Sequence, residues 1–148
     1  MTRMNFVNLP VADLGRSRGF LEALGAINEP KFTDDSAACM QLSDSIFVML
    51  LTHDKFRQFT PRPIADATAR SEVLLCLSAD SREQVDSSVE RAVLAGGTAD
   101  PGPKQDYGVM YGRSVADPDG HIWEIMWMDP AAAEQGASAV EPAIAQDA

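Results

Sequence analysis

An internal repeat constrains the fold of this chain more than any other feature of its sequence. Residues Asn5–Gly25 run from a strand-like apolar stretch through an Asp to a helical stretch that ends in Gly, and residues Glu72–Gly97 repeat that order. Gly at the end of a helix suits the left-handed conformation that closes it. Two copies are too few to stack as a solenoid. The repeat therefore predicts two half-domains related by a pseudo-twofold axis.

Three strand-like stretches follow each predicted helix, so each half has the order strand, helix, strand, strand, strand. Ser81 and Gln84 form an S-x-x-Q capping box at the start of the second helix, and Asp13 is the expected N-cap of the first. This pattern predicts an α+β fold made of two βαβββ modules. The remaining strands are expected at Ile27–Thr33, Ala37–Leu42 and Ile46–Thr52 in the first half, and near Thr98, at Tyr107–Val115 and at His121–Met128 in the second.

The chain of 148 residues is predicted to form a single domain. A flexible tail is expected after Pro130, because the sequence there is rich in Ala, Glu and Gln and has no periodic apolar face. The predicted boundaries are 1–130 for the domain, 4–52 for module one, 53–71 for the linker, 72–128 for module two and 131–148 for the tail.

The linker between the modules contains two prolines and has little periodicity. A connection of this length in a compact domain is usually functional or mobile. Two interpretations of its aromatic residues remain open. Phe56 and Phe59 fold over a ligand as a lid, or they anchor the linker to the core.

The charge balance excludes one class of partner. The 22 acidic and 12 basic side chains give a formal net charge of −10, which disfavours nucleic acid because phosphates would be repelled.

The start of the chain does not resemble a signal peptide, and no run approaches the ~18 apolar residues of a membrane span. Cys39 and Cys76 lie in apolar stretches, so buried free thiols and a cytoplasmic location are expected.

Glu124 is the main candidate for a functional group. It lies in the last predicted strand, on the same face as Ile122, Met126 and Met128. A Glu among apolar neighbours is rare unless it is paired or functional. Glu124 is therefore a candidate general base, with an ion pair to an Arg or an edge position in solvent as the alternatives.

Other polar side chains of the predicted strands are candidate ligand-binding residues. Tyr111 and Arg113 share one face and would offer a phenol and a cation to an anionic ligand. Asn8 would orient a ligand or satisfy a neighbouring backbone group. Gln41 and Cys76 are weaker candidates of the same kind.

No metal cluster can be identified from the spacing of residues. The chain has two histidines, His53 and His121, and neither has a second His or a Cys at ligand spacing.

Three segments resemble the glyoxalase, bleomycin-resistance and extradiol-dioxygenase group, the vicinal oxygen chelate superfamily. They are LPVADLGRSRGFLEALG, LSADSREQVDSSVERAVLAGG and VADPDGHIWEIMWMD. The last resembles the family's closing signature, a D-P-D-G turn and a strand with Glu four residues after the Gly. The resemblance covers about Met4 to Met128. It implies paired βαβββ modules that form one barrel-like cup, and a homodimer.

The resemblance also implies where metal-dependent relatives place four ligands. Glu124 matches the last of them, while the other three positions fall on Phe6, Leu50 and Leu74. A shift of one residue would give Val7, Leu51 or Val73 instead. A single carboxylate does not hold a divalent ion, so no metal is expected.

Three functions follow from the resemblance. The first is a metal-free protein that binds a small molecule in an apolar cup. The second is a glyoxalase-like lyase or isomerase that uses Glu124 as general base beside a carbonyl, with Arg113 or Tyr111 steadying the oxyanion. The third is a metal-dependent lactoylglutathione lyase or dioxygenase-type enzyme, which requires bound Zn or Ni or another divalent metal.

Overall fold

A computed structural model describes residues 2–140 of the chain. The first half forms a four-stranded sheet in the order β1-β4-β3-β2, with β1 parallel to β4 and the other pairs antiparallel. Its elements are β1 (Asn5–Val11), α1 (Leu14–Ala23), β2 (Ile27–Glu29), β3 (Ala37–Gln41) and β4 (Ile46–Thr52). The linker begins with a short helix, α2 (His53–Arg57).

The second half repeats this topology. Its sheet has the order β5-β9-β8-β6, with β5 parallel to β9, and an additional strand, β7, pairs with β8. The elements are β5 (Leu75–Ser78), α3 (Arg82–Leu94), β6 (Thr98–Ala99), β7 (Gln105–Asp106), β8 (Met110–Ala116) and β9 (Ile122–Met128). The predicted pair of βαβββ modules is confirmed.

The predicted caps account for where both long helices begin. The Asp13 carboxylate accepts the backbone N–H of Arg16 at 3.0 Å, and the Ser81 hydroxyl accepts that of Gln84 at 3.1 Å. The Gln84 side chain accepts the N–H of Asp80 at 2.7 Å, one residue before the position expected for a capping box. These bonds satisfy amides that have no partner inside the helix.

Two predicted strands differ from those in the structure. The strand predicted over residues 27–33 ends at Glu29, because Pro30 lacks an N–H and begins a 3-10 turn, Pro30–Phe32. The strand predicted to begin at Tyr107 begins at Met110, since Tyr107 donates its N–H to the carbonyl of Met110 and closes a tight turn.

One apolar core joins the two modules. Phe20 of α1, Val85 and Val89 of α3, and Trp123 of β9 are almost fully buried in a single cluster. Each sheet packs one face against a helix. We call the opposite face the open face. Within residues 2–140 the strands form two separate sheets that do not close into a barrel.

The segment after Pro130 is helical in part. It contains α4 (Pro130–Gln135) and a 3-10 turn, Gly136–Ala139, and the side chains of Ala132 and Val140 are buried. Residues 131–139 of the expected tail form helical turns, and its flexibility stays a prediction. Residues 141–148 of that predicted tail lie outside the described residues.

None of the helices in residues 2–140 combines the length and the apolar character needed to cross a bilayer.

Candidate functional site

A hollow lies between the two modules, and we call it the crevice. It has a volume of about 430 Å³ and is bounded by β1, the linker and the starts of β5 and β9. Its apolar lining comes from side chains of all these segments, including Phe56, Ile64, Val73, Leu75 and Ile122. Cavities of roughly 300–1,000 Å³ with such linings are typical of small-molecule sites.

The polar lining of the crevice carries more positive than negative charge. Arg62 and Arg70 both line it, while Glu72 is the one carboxylate among the lining side chains. Neither arginine takes part in an ion pair within residues 2–140. Asn8 also lines it, and its amide makes only a long 3.4 Å hydrogen bond to the carbonyl of Phe6. The crevice is thus electropositive in an acidic chain.

Close backbone packing holds the linker in place over the crevice. Gly120 has φ +94°, and a Cβ there would lie 2.7 Å from the backbone nitrogen of Thr68. Only Gly permits both this conformation and this approach. On the linker side, Arg70 donates its backbone N–H to the carbonyl of Asp66 at 3.0 Å. A turn of module two therefore fixes the segment that carries Arg70.

The D-P-D-G turn also ties the two modules together. Its Asp119 carboxylate accepts the N–H of Ala12 at 2.8 Å and the hydroxyl of Ser17 at 3.0 Å, both in module one. His121, which follows the turn, also contacts module one, because its Nε2 lies 2.8 Å from the carbonyl oxygen of Pro10. The modules therefore meet through specific hydrogen bonds beside the crevice.

Asp117 stabilises this turn by hydrogen bonds to residues of the turn and of β9. Its carboxylate accepts the N–H groups of Asp119 and His121 at 3.0 and 2.9 Å, and the indole N–H of Trp123 at 3.3 Å. Burial raises the pKa of Asp117, against the opposing effect of these bonds and of His121.

Glu124 lies outside the crevice, in a neighbouring hollow of about 240 Å³ on the open face of module two. Leu74, Gly112 and Ser114 also line this hollow, and Ile122 borders both hollows. Glu124 is half-buried rather than enclosed. Its expected place on one face with Ile122 holds, but its surroundings are more polar than expected.

Cys76 is exposed rather than buried, which corrects the expectation from its apolar stretch. It pairs with Glu124 across the parallel strands β5 and β9, on the open face. Partial desolvation and the Glu124 carboxylate raise the pKa of the Cys76 thiol. Cys39 is buried, as expected.

The side chains of Tyr111 and Arg113 share one face of β8, as expected, and point toward α3, on the side of the sheet opposite to Glu124. The Tyr111 hydroxyl donates to Asp86 Oδ1 at 2.6 Å. The Arg113 guanidinium donates to Asp86 at 3.0 Å and to Asp100 at 2.7 Å. Side chains alternate along β8, and the alternation places Gly112 and Ser114 on the side of Glu124. Arg113 borders the smaller hollow, but its guanidinium is engaged by these two acids.

The remaining candidates from the sequence, Asn8 and Gln41, lie at different places in the structure. Asn8 lines the crevice. Gln41 lies on the sheet of module one, opposite Ile27 and Phe47 in register, and lines neither the crevice nor the Glu124 hollow.

The two aromatic residues of the linker, Phe56 and Phe59, also have different surroundings. Phe56 lines the crevice, whereas Phe59 is 68% exposed and carries the Lys55 ammonium 5.7 Å above its ring. Phe59 is therefore neither an anchor nor a closed lid.

The residues at the metal-ligand positions of the superfamily do not fit a divalent metal. Phe6 is stacked on Phe47 at 4.9 Å. Leu50 is buried in the core, so the open face of β4 carries its neighbours Met49 and Leu51 instead. Nowhere in residues 2–140 do three His, Cys, Asp or Glu side chains come together as a metal-binding group. With apolar side chains at three positions, the ligand set is too small for Zn or Ni.

Arg62 and Arg70 are the site residues that sequence reasoning missed. The available signal was two cations in a Pro-containing linker without periodicity, in a strongly acidic chain. Their shared position at one hollow follows only from the folded path of the linker.

Comparison with known proteins agrees with the fold. A hypothetical protein from S. aureus is similar over 86% of this chain and 95% of its own, with 26% identity and a TM-score of 0.70. A glyoxalase-related enzyme from Fulvimarina pelagi shares 24% identity over 86% and 88% of the two chains, with a TM-score of 0.70. The fosfomycin resistance protein FosX from Listeria monocytogenes shares 18% identity over 86% and 91%, with a TM-score of 0.62.

These neighbours define the fold of the chain. The chain has the fold of these solved structures, several of which are named as glyoxalase/bleomycin resistance/dioxygenase proteins, so the fold that the sequence resemblance implied is confirmed. No family model matches the sequence, and no curated protein matches it.

Proposed function

We propose that this protein binds a small organic molecule in the crevice between its modules, without a divalent metal. The observation that carries the proposal is the crevice of about 430 Å³, which has apolar walls and a few converging polar groups. The unsuitable donor set at the superfamily's metal positions supports the metal-free part. In this proposal the crevice takes the place of the apolar cup expected from the sequence, and Glu124 lies beside it rather than inside it.

Filling the crevice tests this proposal. Val73 lines the crevice and is 56% exposed, so Val73→Trp adds bulk there without disturbing the core. Leu94→Trp is the matched control, because Leu94 is 90% exposed on α3 and lines none of the hollows described. In a ligand-observed NMR screen of small organic fragments, we expect wild type and Leu94→Trp to share hits that Val73→Trp loses.

Two results would count against the proposal. A screen in which no fragment distinguishes wild type from Val73→Trp would exclude the crevice as the binding site. Binding that disappears in EDTA and returns with added Zn would exclude the metal-free mode.

An enzyme that uses Glu124 as general base is the second candidate. It is favoured by the hollow that Glu124 shares with Ser114. It is weakened because Tyr111 and Arg113, the expected oxyanion partners, are bonded to acids on the other side of the sheet. Any turnover that Glu124→Gln leaves unchanged would dispose of it.

A metal-dependent lyase or dioxygenase has no matching donor set. The homodimer and the cytoplasmic location stay predictions.

A further inference from the structure

We infer that the ligand of the crevice is a small organic carboxylate, with an apolar body in the crevice and its anionic group at Arg62 and Arg70. This inference rests on the proposed function and adds the chemical class of the ligand. The two proposed anion-binding residues lie in the linker. The superfamily resemblance places its metal ligands elsewhere, on the open faces of the sheets.

The first support is that both arginines have free hydrogen-bonding capacity. Neither guanidinium donates a hydrogen bond to another group within residues 2–140, while Arg57, Arg82 and Arg113 are each paired with an acid. An Arg guanidinium presents a planar set of N–H groups that matches a carboxylate in two-point geometry. Two such groups at one hollow would favour an anion over a neutral molecule of the same shape.

The second support is the sign of the charge at this place. The chain as a whole has a net charge of −10, which repels anions at long range. At the crevice, however, the charged lining residues are two arginines and the single carboxylate of Glu72. Exposed charges act over about 10 Å or less in physiological salt, so the local excess of cations decides which ligand is attracted.

The third support is preorganisation. The turn that carries Arg70 packs against Gly120, and Asp66 accepts the N–H of Arg70 and the hydroxyl of Thr68. Pro61 and Pro63 restrict the backbone on both sides of Arg62. Little backbone conformational entropy is therefore lost when a ligand binds, which increases affinity.

The body of the ligand follows from the remaining lining. Phe56, Ile64, Leu75 and Ile122 present apolar surface next to the arginines. A flat aromatic or short aliphatic group would cover this surface. The Asn8 amide, which makes only one long hydrogen bond, is placed to donate a further one to the ligand.

A matched pair of probes tests the charge preference. The anion 2-naphthoate and the neutral 2-naphthamide have nearly the same size and shape, so their affinities differ through the charge and hydrogen bonding of one polar group. By isothermal titration calorimetry on the full chain, we expect wild type to bind 2-naphthoate at least about tenfold more tightly, the change that a charge-assisted hydrogen bond produces. The preference should decrease as salt is raised.

Variants then assign the preference to the linker. The double variant Arg62→Gln/Arg70→Gln should lose about tenfold or more in affinity for 2-naphthoate and keep its affinity for 2-naphthamide. Arg18→Gln is the control, since Arg18 lies on α1 and pairs with Glu22; it should change neither affinity. Glu72→Gln should tighten 2-naphthoate binding, because it removes the one opposing carboxylate.

The outcomes separate this inference from the proposed function. Equal affinity for the two probes, or an unchanged affinity in the double variant, would overturn the carboxylate class, and so would 2-naphthoate binding weaker than about 1 mM. In each of these cases the proposed function still stands if the screen finds fragments that bind wild type and do not bind Val73→Trp. If no fragment is sensitive to Val73→Trp, both proposals fail.

Discussion

Gly97 shows how closely single residues are fitted where the two modules meet. A Cβ on Gly97 would lie 2.7 Å from Cε2 of Phe20 and 3.0 Å from the carbonyl oxygens of Ala92 and Ala116. Phe20 belongs to module one and the other three residues to module two. A methyl group at this position therefore has no free space, and two of the three obstacles are rigid backbone.

We predict that Gly97→Ala lowers the free energy of unfolding by roughly 1–3 kcal/mol, the typical cost of overpacking. Gly19→Ala is the matched control. Gly19 lies inside α1, with nothing within 4 Å of its added Cβ, so the change should raise the free energy of unfolding by roughly 0.5–1 kcal/mol. Urea denaturation of both variants measures these values. Equal effects of the two substitutions would contradict the packing argument.

Between elements, an ion-pair network joins α3 to β8 and to the loop after β6. Arg113 is 11% exposed at its side chain and contacts both Asp86 and Asp100. The hydrogen bond from Tyr111, then that from Arg113, lowers the pKa of Asp86. The bonds from Arg113 lower the pKa of Asp100. The network stabilises the packing of α3 on its sheet while both acids are charged.

The pH dependence of stability follows from the sign of these shifts. A carboxylate whose folded-state pKa lies below its unfolded value of about 3.9 adds stability above that value. The contribution is lost as pH falls through the folded-state pKa. Asp100→Asn should therefore cost roughly 1.5–3 kcal/mol at pH 7 and much less at pH values below the folded-state pKa. Chemical denaturation over this pH range measures the difference.

Asn is the suitable replacement at this position, because Asp100 has φ +54° and Asn tolerates the left-handed conformation. Asp35→Asn removes one negative charge at an exposed site without an ion pair in the described chain, so it controls for net charge. A cost at Asp100 that stays constant from neutral to acidic pH would show that the ion pair is not its source.

For the molecule as a whole, the relation between the modules depends on the D-P-D-G turn. Asp119 reaches across to Ala12 and Ser17, and Gly120 packs against the linker. The same turn thus orients module one and positions the segment that carries Arg70.

We expect Asp119→Ala to lower the free energy of unfolding by roughly 1–3 kcal/mol, because it leaves two polar groups without their acceptor. Hydrogen exchange at the Ala12 amide should become faster. Asp129→Ala, which removes the N-cap of the short helix α4, should cost about 1 kcal/mol or less and leave exchange at Ala12 unchanged. Wild-type protection of Ala12 in Asp119→Ala would argue against a bridge between modules.

The sequence by itself determined the elements and their order. The capping groups Asp13 and Ser81, the repeated helix ends and the alternation of β9 are local signals, because caps and side-chain alternation depend on residues only a few positions apart. That Glu124 shares one face of β9 with Ile122 was predictable for this reason.

Only the tertiary structure decided which side chains meet. Tyr111 and Arg113 lie on the face of β8 opposite to Glu124, and a repeat without a known register between β8 and β9 cannot reveal that. Arg62 and Arg70 reach the crevice because the linker is folded against Gly120, a contact between residues about fifty positions apart in the chain. The elements follow from local interactions, whereas the proposed binding site depends on long-range packing that no short stretch of sequence encodes.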